Sequence, residues 1–155
     1  MVARASSRSW AEAPGIAAQA LTILERVGPL ARVDAEAWQD AVAALRGSAE
    51  EAEDSGRRNF ALERKLERAA AVPLEIAELA ADAAALATVA GERGDGAYRA
   101  DAAAAAALAA GAAAAAAHLV EINLGVRDDD PRLGRARACE QAAADSAHAL
   151  LESAR

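Results

Sequence analysis

The sequence predicts an all-α protein, an antiparallel helical bundle with long kinked helices that is dimeric, and three observations point there. Apolar residues recur at helical spacing, as in Val72, Ile76, Leu79, Ala83 and Leu86, with intervals of three and four. No segment shows the alternation of a strand. The third observation is "DAAAAAALAAGAAAAAAHLVEINL", Asp101 to Leu124, a helix apolar on every side that other helices must surround. One chain of 155 residues supplies few helices for that purpose. A homodimer packing alanine faces across a two-fold axis supplies the rest.

The elements follow in order along a single domain, 1–155. The opening "MVARASSRSW" reads as the end of a helix and a turn, since no apolar stretch or cleavage site of a leader peptide follows it. Pro14 fits the first turn of a helix that runs through "AAQALTILERV" to "AEAWQDAVAAL", with a kink or break at Gly28 and Pro29. "RGSAEEAEDSG" reads as a loop. A second long helix spans Arg57 to about Gly91 with Pro73 inside it, at a cost of roughly 3 kcal/mol that packing or function must offset. "GERGDGAY" breaks the chain, and Asp101 is placed to cap or open the alanine helix. "GVRDDDP" turns into a final amphipathic helix.

Composition excludes several functions. Formal net charge is -7, which repels a phosphate backbone or an anionic membrane surface, so neither nucleic acid nor membrane is an expected partner. The alanine run is long enough to span a bilayer, yet alanine gains little on transfer to lipid, and a buried soluble helix is expected. The lone Cys139 suits a reducing cytoplasm and reads as a small buried apolar residue. His118 and His148 lack metal-ligand spacing, and the "DDDP" cluster lacks the alternating ligands of a calcium loop, so no metal is expected.

Several segments then line up: "MVARAS" at the start, "VDAEAW" at 33–38, "ERAAAVPLEIAELA" at 67–80, "ADAAAAAALAAG" at 100–111 and "EINL" at 121–124. In this order and spacing the chain resembles the cyclodeaminase/cyclohydrolase family, which includes the cyclodeaminase half of formiminotransferase-cyclodeaminase and methenyltetrahydrofolate cyclohydrolases. Val72-Pro73-Leu74 and Ile122-Asn123-Leu124 are its best anchors. The resemblance implies a helical dimer that binds a tetrahydrofolate derivative near the subunit interface, with no further cofactor. It implies either ring closure with loss of ammonia from 5-formiminotetrahydrofolate, or addition of water to 5,10-methenyltetrahydrofolate. With one domain predicted, water addition is slightly favoured.

On that resemblance, Asp34 and Asp101 match carboxylate positions and are the catalytic candidates, stabilising a cationic carbon and moving a proton. The alternative reading of Asp34 is a cap of the helix segment after the kink, and for Asp101 the sequence alone favours a helix N-cap. Asn123 is a candidate for the mixed donor and acceptor edge of a pterin, or else a residue that satisfies carbonyls at a helix end. Arg64 and Arg68, one turn apart, would hold the substrate's glutamate tail, or form a solvated face. A buried His118 would serve as a base or as a structural histidine.

The chain also departs from the family pattern. It lacks the glycine-rich opening, has "SSRSW" where lysines are usual, Leu119 for an Asn and Ala100 for a Ser. The expectation from these differences is either a start assigned inside a longer gene or a shortened paralogue that kept the bundle and lost catalysis. In the second case the protein is a ligand-binding or structural helical dimer.

Overall fold

A computed structural model describes residues 1–8, 10–47, 55–124 and 129–153. Among them every element is helical: α1 (Val2–Ala5), α2 (Ala13–Val27), α3 (Leu30–Gly47), α4 (Ser55–Arg93), a 3-10 turn (Gly96–Tyr98), α5 (Arg99–Leu124) and α6 (Pro131–Ser153). Pro14 lies in the first turn of α2, where its missing N–H costs nothing. Gly28 and Pro29 separate α2 from α3 outright. Most of the expected loop, residues 48–54, lies outside the described residues. The expected break at "GERGDGAY" begins later than the glycines suggest, because Gly91 stays inside α4.

Packing explains that glycine. A Cβ at Gly91 would sit 2.7 Å from Leu150 Cδ1 and 3.1 Å from Ala102 Cβ, so the three helices α4, α5 and α6 meet at a point only a hydrogen can occupy. Along these helices the core forms successive layers. Ala70 and Leu74 meet Ala117, Val120, Leu124 and Ala136. Ala80 and Ala84 meet Ala113 and Ala143, a layer made of alanine alone. Ala90 meets Ala102, Ala103, Ala106, Ala147 and Leu150, and there α1, the segment after it and α2 add Val2, Trp10 and Ala13.

The other face of α4 is the one that the spacing of Val72, Ile76 and Leu79 predicts. It packs on Leu30 with Ile23, Val27 and Val33 from α2 and α3. Helix α4 is therefore apolar on two sides. Ser6 ties the start of the chain to the same assembly, its Oγ donating to the Val2 carbonyl at 3.1 Å and accepting from the Asp95 N–H at 2.8 Å.

One reading of the alanine helix is corrected. Asp101 is not its N-cap: α5 starts two residues earlier, running straight on from a turn capped by Asp95, whose Oδ1 accepts from the Ala97 N–H at 2.9 Å. Asp101 sits exposed in the first turn, where its charge still faces the positive end of the helix dipole. The chain alone does not surround α5, as the small number of helices in 155 residues leads us to expect. The helix passes the length and apolarity requirements for a membrane crossing and is only partly covered, with Leu108 77% exposed and Ile122 56% exposed.

Replacing Gly91 by Ala should destabilise the fold by about 1–3 kcal/mol, since Leu150 and Ala102 must move to admit the methyl group. Urea denaturation checks this. Gly15→Ala is the control, because a Cβ there meets nothing within 4 Å.

Candidate functional site

The proline inside α4 organises one end of the molecule. Pro73 has no N–H, so the carbonyl of Ala69, four residues earlier, loses its helical donor. Ala69 and Pro73 are both fully buried, and a bare carbonyl there would cost about 1–3 kcal/mol. Asn123, near the end of α5 and 8% exposed, donates from Nδ2 to that oxygen at 3.0 Å. The asparagine replaces the bond the proline removes. It satisfies a carbonyl, as one reading of the sequence held, but one belonging to a neighbouring helix.

A second side chain binds α4 close by. Arg132 donates from Nη1 to the Glu67 carbonyl at 3.1 Å, while its Nε and Nη2 hold the two Asp130 oxygens at 2.9 and 2.7 Å. Hydrogen bonding to Asp130 holds the guanidinium above its ordinary pKa and keeps it charged. Asp130 also accepts from the Arg132 N–H at 2.9 Å, which caps α6 behind Pro131.

The predicted site residues fall into two groups. Asp34 is half-buried as the fifth residue of α3, too far into the helix to cap it, directly after Val33, which packs with Leu30 near Val72. Arg64 and Arg68 are exposed on α4, one turn apart at the same end. Asn123 joins them through Ala69. His118 is not buried as expected: its side chain is 71% exposed, with Nδ1 4.0 Å from Glu121, which pairs with Arg137 at 2.8 Å. Asp101 belongs to the far end, since Ala102 meets α4 at Ala90. Residues 72 and 90 of one helix are about 27 Å apart. A single chain therefore does not bring Asp34 and Asp101 together.

A groove that sequence reading missed runs between α1–α2 and α4–α5. Its volume is about 770 Å³, within the range of small-ligand sites, and among the described residues that line it Arg4 is the one with a charged side chain, set in apolar walls that include Ile16, Leu21, Leu24 and Leu86. Asp101 lies one turn before Ala105, which lines this groove, and so stands at its end. The signal was present in the apolar spacing of α2, but only the tertiary structure shows that α2 leaves part of that face open. No group of three or more His, Cys, Asp or Glu capable of holding a metal occurs among the described residues. Cys139 is half-buried, and burial followed by the charge of Glu78 pushes its thiol pKa up.

A family model described as formiminotransferase-cyclodeaminase matches residues 1–147. Comparison with curated proteins and with solved structures returns no match. The match includes both Val72-Pro73-Leu74 and Ile122-Asn123-Leu124, the two segments that meet at the Ala69 carbonyl.

Two outcomes follow from this geometry. Asn123→Ala should cost about 1–3 kcal/mol, and much less when Pro73→Ala is also present, because the new residue at 73 restores an N–H for Ala69. A double-mutant cycle by urea denaturation measures that coupling. Iodoacetamide should label Cys139 more slowly in the folded chain than in urea at pH 8, because a raised pKa leaves less thiolate, with the difference shrinking as pH rises.

Proposed function

This chain belongs to the formiminotransferase-cyclodeaminase family, and we propose that it acts in folate one-carbon metabolism as a cytoplasmic homodimer, an antiparallel bundle in which each chain is one domain. The observation that carries this reading is the extent of the family match, which reaches from "MVARAS" to residue 147. The reaction is the opening or closing of a ring across one carbon held between two nitrogens. In the hydrolytic direction, water adds to the methenyl carbon of 5,10-methenyltetrahydrofolate and loses a proton. The hydroxyl then gives up its proton and becomes the formyl C=O as the bond from that carbon to N5 breaks and N5 takes up a proton, so the formyl group stays on N10. In the deaminating direction, N10 attacks the formimino carbon and ammonia leaves.

Both directions need a carboxylate beside a cationic carbon, and each such role contributes about 10²-fold or more. Asp34 and Asp101 fill it. Arg64 and Arg68 are exposed cations at the Asp34 end, available to a substrate carboxylate. His118 contributes a polar side chain from the surface of α5. Asn123 acts as a positioning residue, because its amide is committed to Ala69. No metal or further cofactor enters the scheme, and the net charge of -7 disfavours nucleic acid and anionic membranes.

The test is loss of 5,10-methenyltetrahydrofolate absorbance with purified protein, at a pH where spontaneous hydrolysis is slow. Acceleration over buffer is expected, falling by about 10²-fold in Asp34→Asn and in Asp101→Asn. A rate equal to the blank, with ammonia release from 5-formiminotetrahydrofolate also absent, would leave the ligand-binding dimer without catalysis as the better description.

A further inference from the structure

The groove between α1–α2 and α4–α5 contains none of the residues assigned to the folate reaction, and its walls define a different kind of ligand. Alanines supply much of its lining, among them Ala17 and Ala20 from α2, Ala83 and Ala87 from α4, and Ala102 and Ala105 from α5. Leu21 and Leu24 rise beside them and stay exposed. Among the described residues that line it, no side chain carries a hydroxyl, an amide or a ring. A heterocycle with several polar edges would lose water there and gain no side-chain hydrogen-bond partners beyond Arg4.

The two ends of the groove differ. Ile16 and Ala17 pack on the layer that holds Val2, Ala90 and Ala102, so α1, which carries Arg4, belongs to that end. Ile23 packs instead with Leu30, Val72 and Leu79, and on that side Arg26 of α2 is tied to Glu75 of α4 at 3.1 Å. That cation is committed. Arg4 is exposed and, among the described residues, has no ion-pair partner. From Ile16 to Leu24 the apolar wall of α2 extends about 12 Å, with a cation at one end only.

We propose that this groove binds an unbranched aliphatic monocarboxylate, its chain lying along α2 and α4 and its carboxylate held by Arg4. Charge complementarity selects the head, because Arg4 is the one charge in the lining and a guanidinium matches a carboxylate in two parallel hydrogen bonds. Asp101 stands outside the lining at the same end, its own charge facing the positive end of the α5 dipole. The walls select the tail. An alkyl chain asks for no hydrogen-bond partner and gains from every methylene withdrawn from water. The assignment is independent of the folate reading, and either can fail alone.

The experiment is isothermal titration calorimetry of the whole chain with hexanoate, octanoate, decanoate and dodecanoate, each below its micelle threshold. Affinity should rise about fourfold for each added methylene until the groove is filled. Arg4→Met, which keeps the stem and removes the charge, should weaken decanoate by about fivefold and leave decanol unchanged. Ala20→Phe, at an exposed lining position, should abolish binding of both while circular dichroism keeps its helical signal. Leu108→Ser, on the outward side of α5, should leave both unchanged. Absence of decanoate binding at millimolar concentration overturns the proposal. Equal weakening of decanoate and decanol by Arg4→Met removes the carboxylate from it, and binding that survives Ala20→Phe places the ligand elsewhere. Self-association that Ala20→Phe abolishes, with no carboxylate bound, would give the groove to a second copy of the chain instead.

Discussion

The Ala69 carbonyl is the group on which one end of this molecule depends. Pro73 takes away its donor, burial keeps water from it, and Asn123 restores the bond from a different helix. That converts a local defect in α4 into a constraint on how α4 and α5 sit together. An alanine core offers little side-chain shape to fix the register of two helices, whereas a buried amide donor and a buried acceptor have one good alignment. Arg132 adds a second such link, from α6 to the Glu67 carbonyl. Around Pro73 the three helices are thus held by directional bonds to backbone as well as by packing.

Elsewhere the constraint is steric. The middle layer is built from Ala80, Ala84, Ala113 and Ala143, and at Gly91 the available space shrinks to a single hydrogen. Small side chains bury little area each, so cohesion comes from close approach of whole helices, with many backbone atoms in van der Waals contact. Among the described residues the largest fully buried apolar side chains are Leu79, Leu124, Leu150 and Val120. A core of this kind tolerates enlargement poorly, because a methyl group added at a point such as Gly91 has to push Leu150 and Ala102 out of place.

Function inherits this layout. The carboxylates expected to work on one substrate stand at opposite ends of α4, and the exposed apolar face of α5 runs between those ends.

Much of the fold was legible in the chain itself, because helical periodicity, Pro14, Gly28-Pro29 and the aspartates before Pro131 are local signals with local causes. Val72, Ile76 and Leu79 marked the face toward α2 and α3, and the order of short motifs marked the family. What failed was whatever depended on a neighbour. Gly91 looked like a helix breaker and is a contact point; His118 looked buried and is exposed; Asp101 looked like a cap and follows one. Asn123 is the clearest case. Its residue type announced a donor near a helix end, but only the tertiary structure could decide the acceptor, because the carbonyl that needs it lies 54 residues away and was freed by a proline in another helix. The sequence by itself determined the helices and the chemistry available on them; the packing decided which groups meet, since hydrogen bonds and close contacts between helices depend on distances that no local pattern encodes.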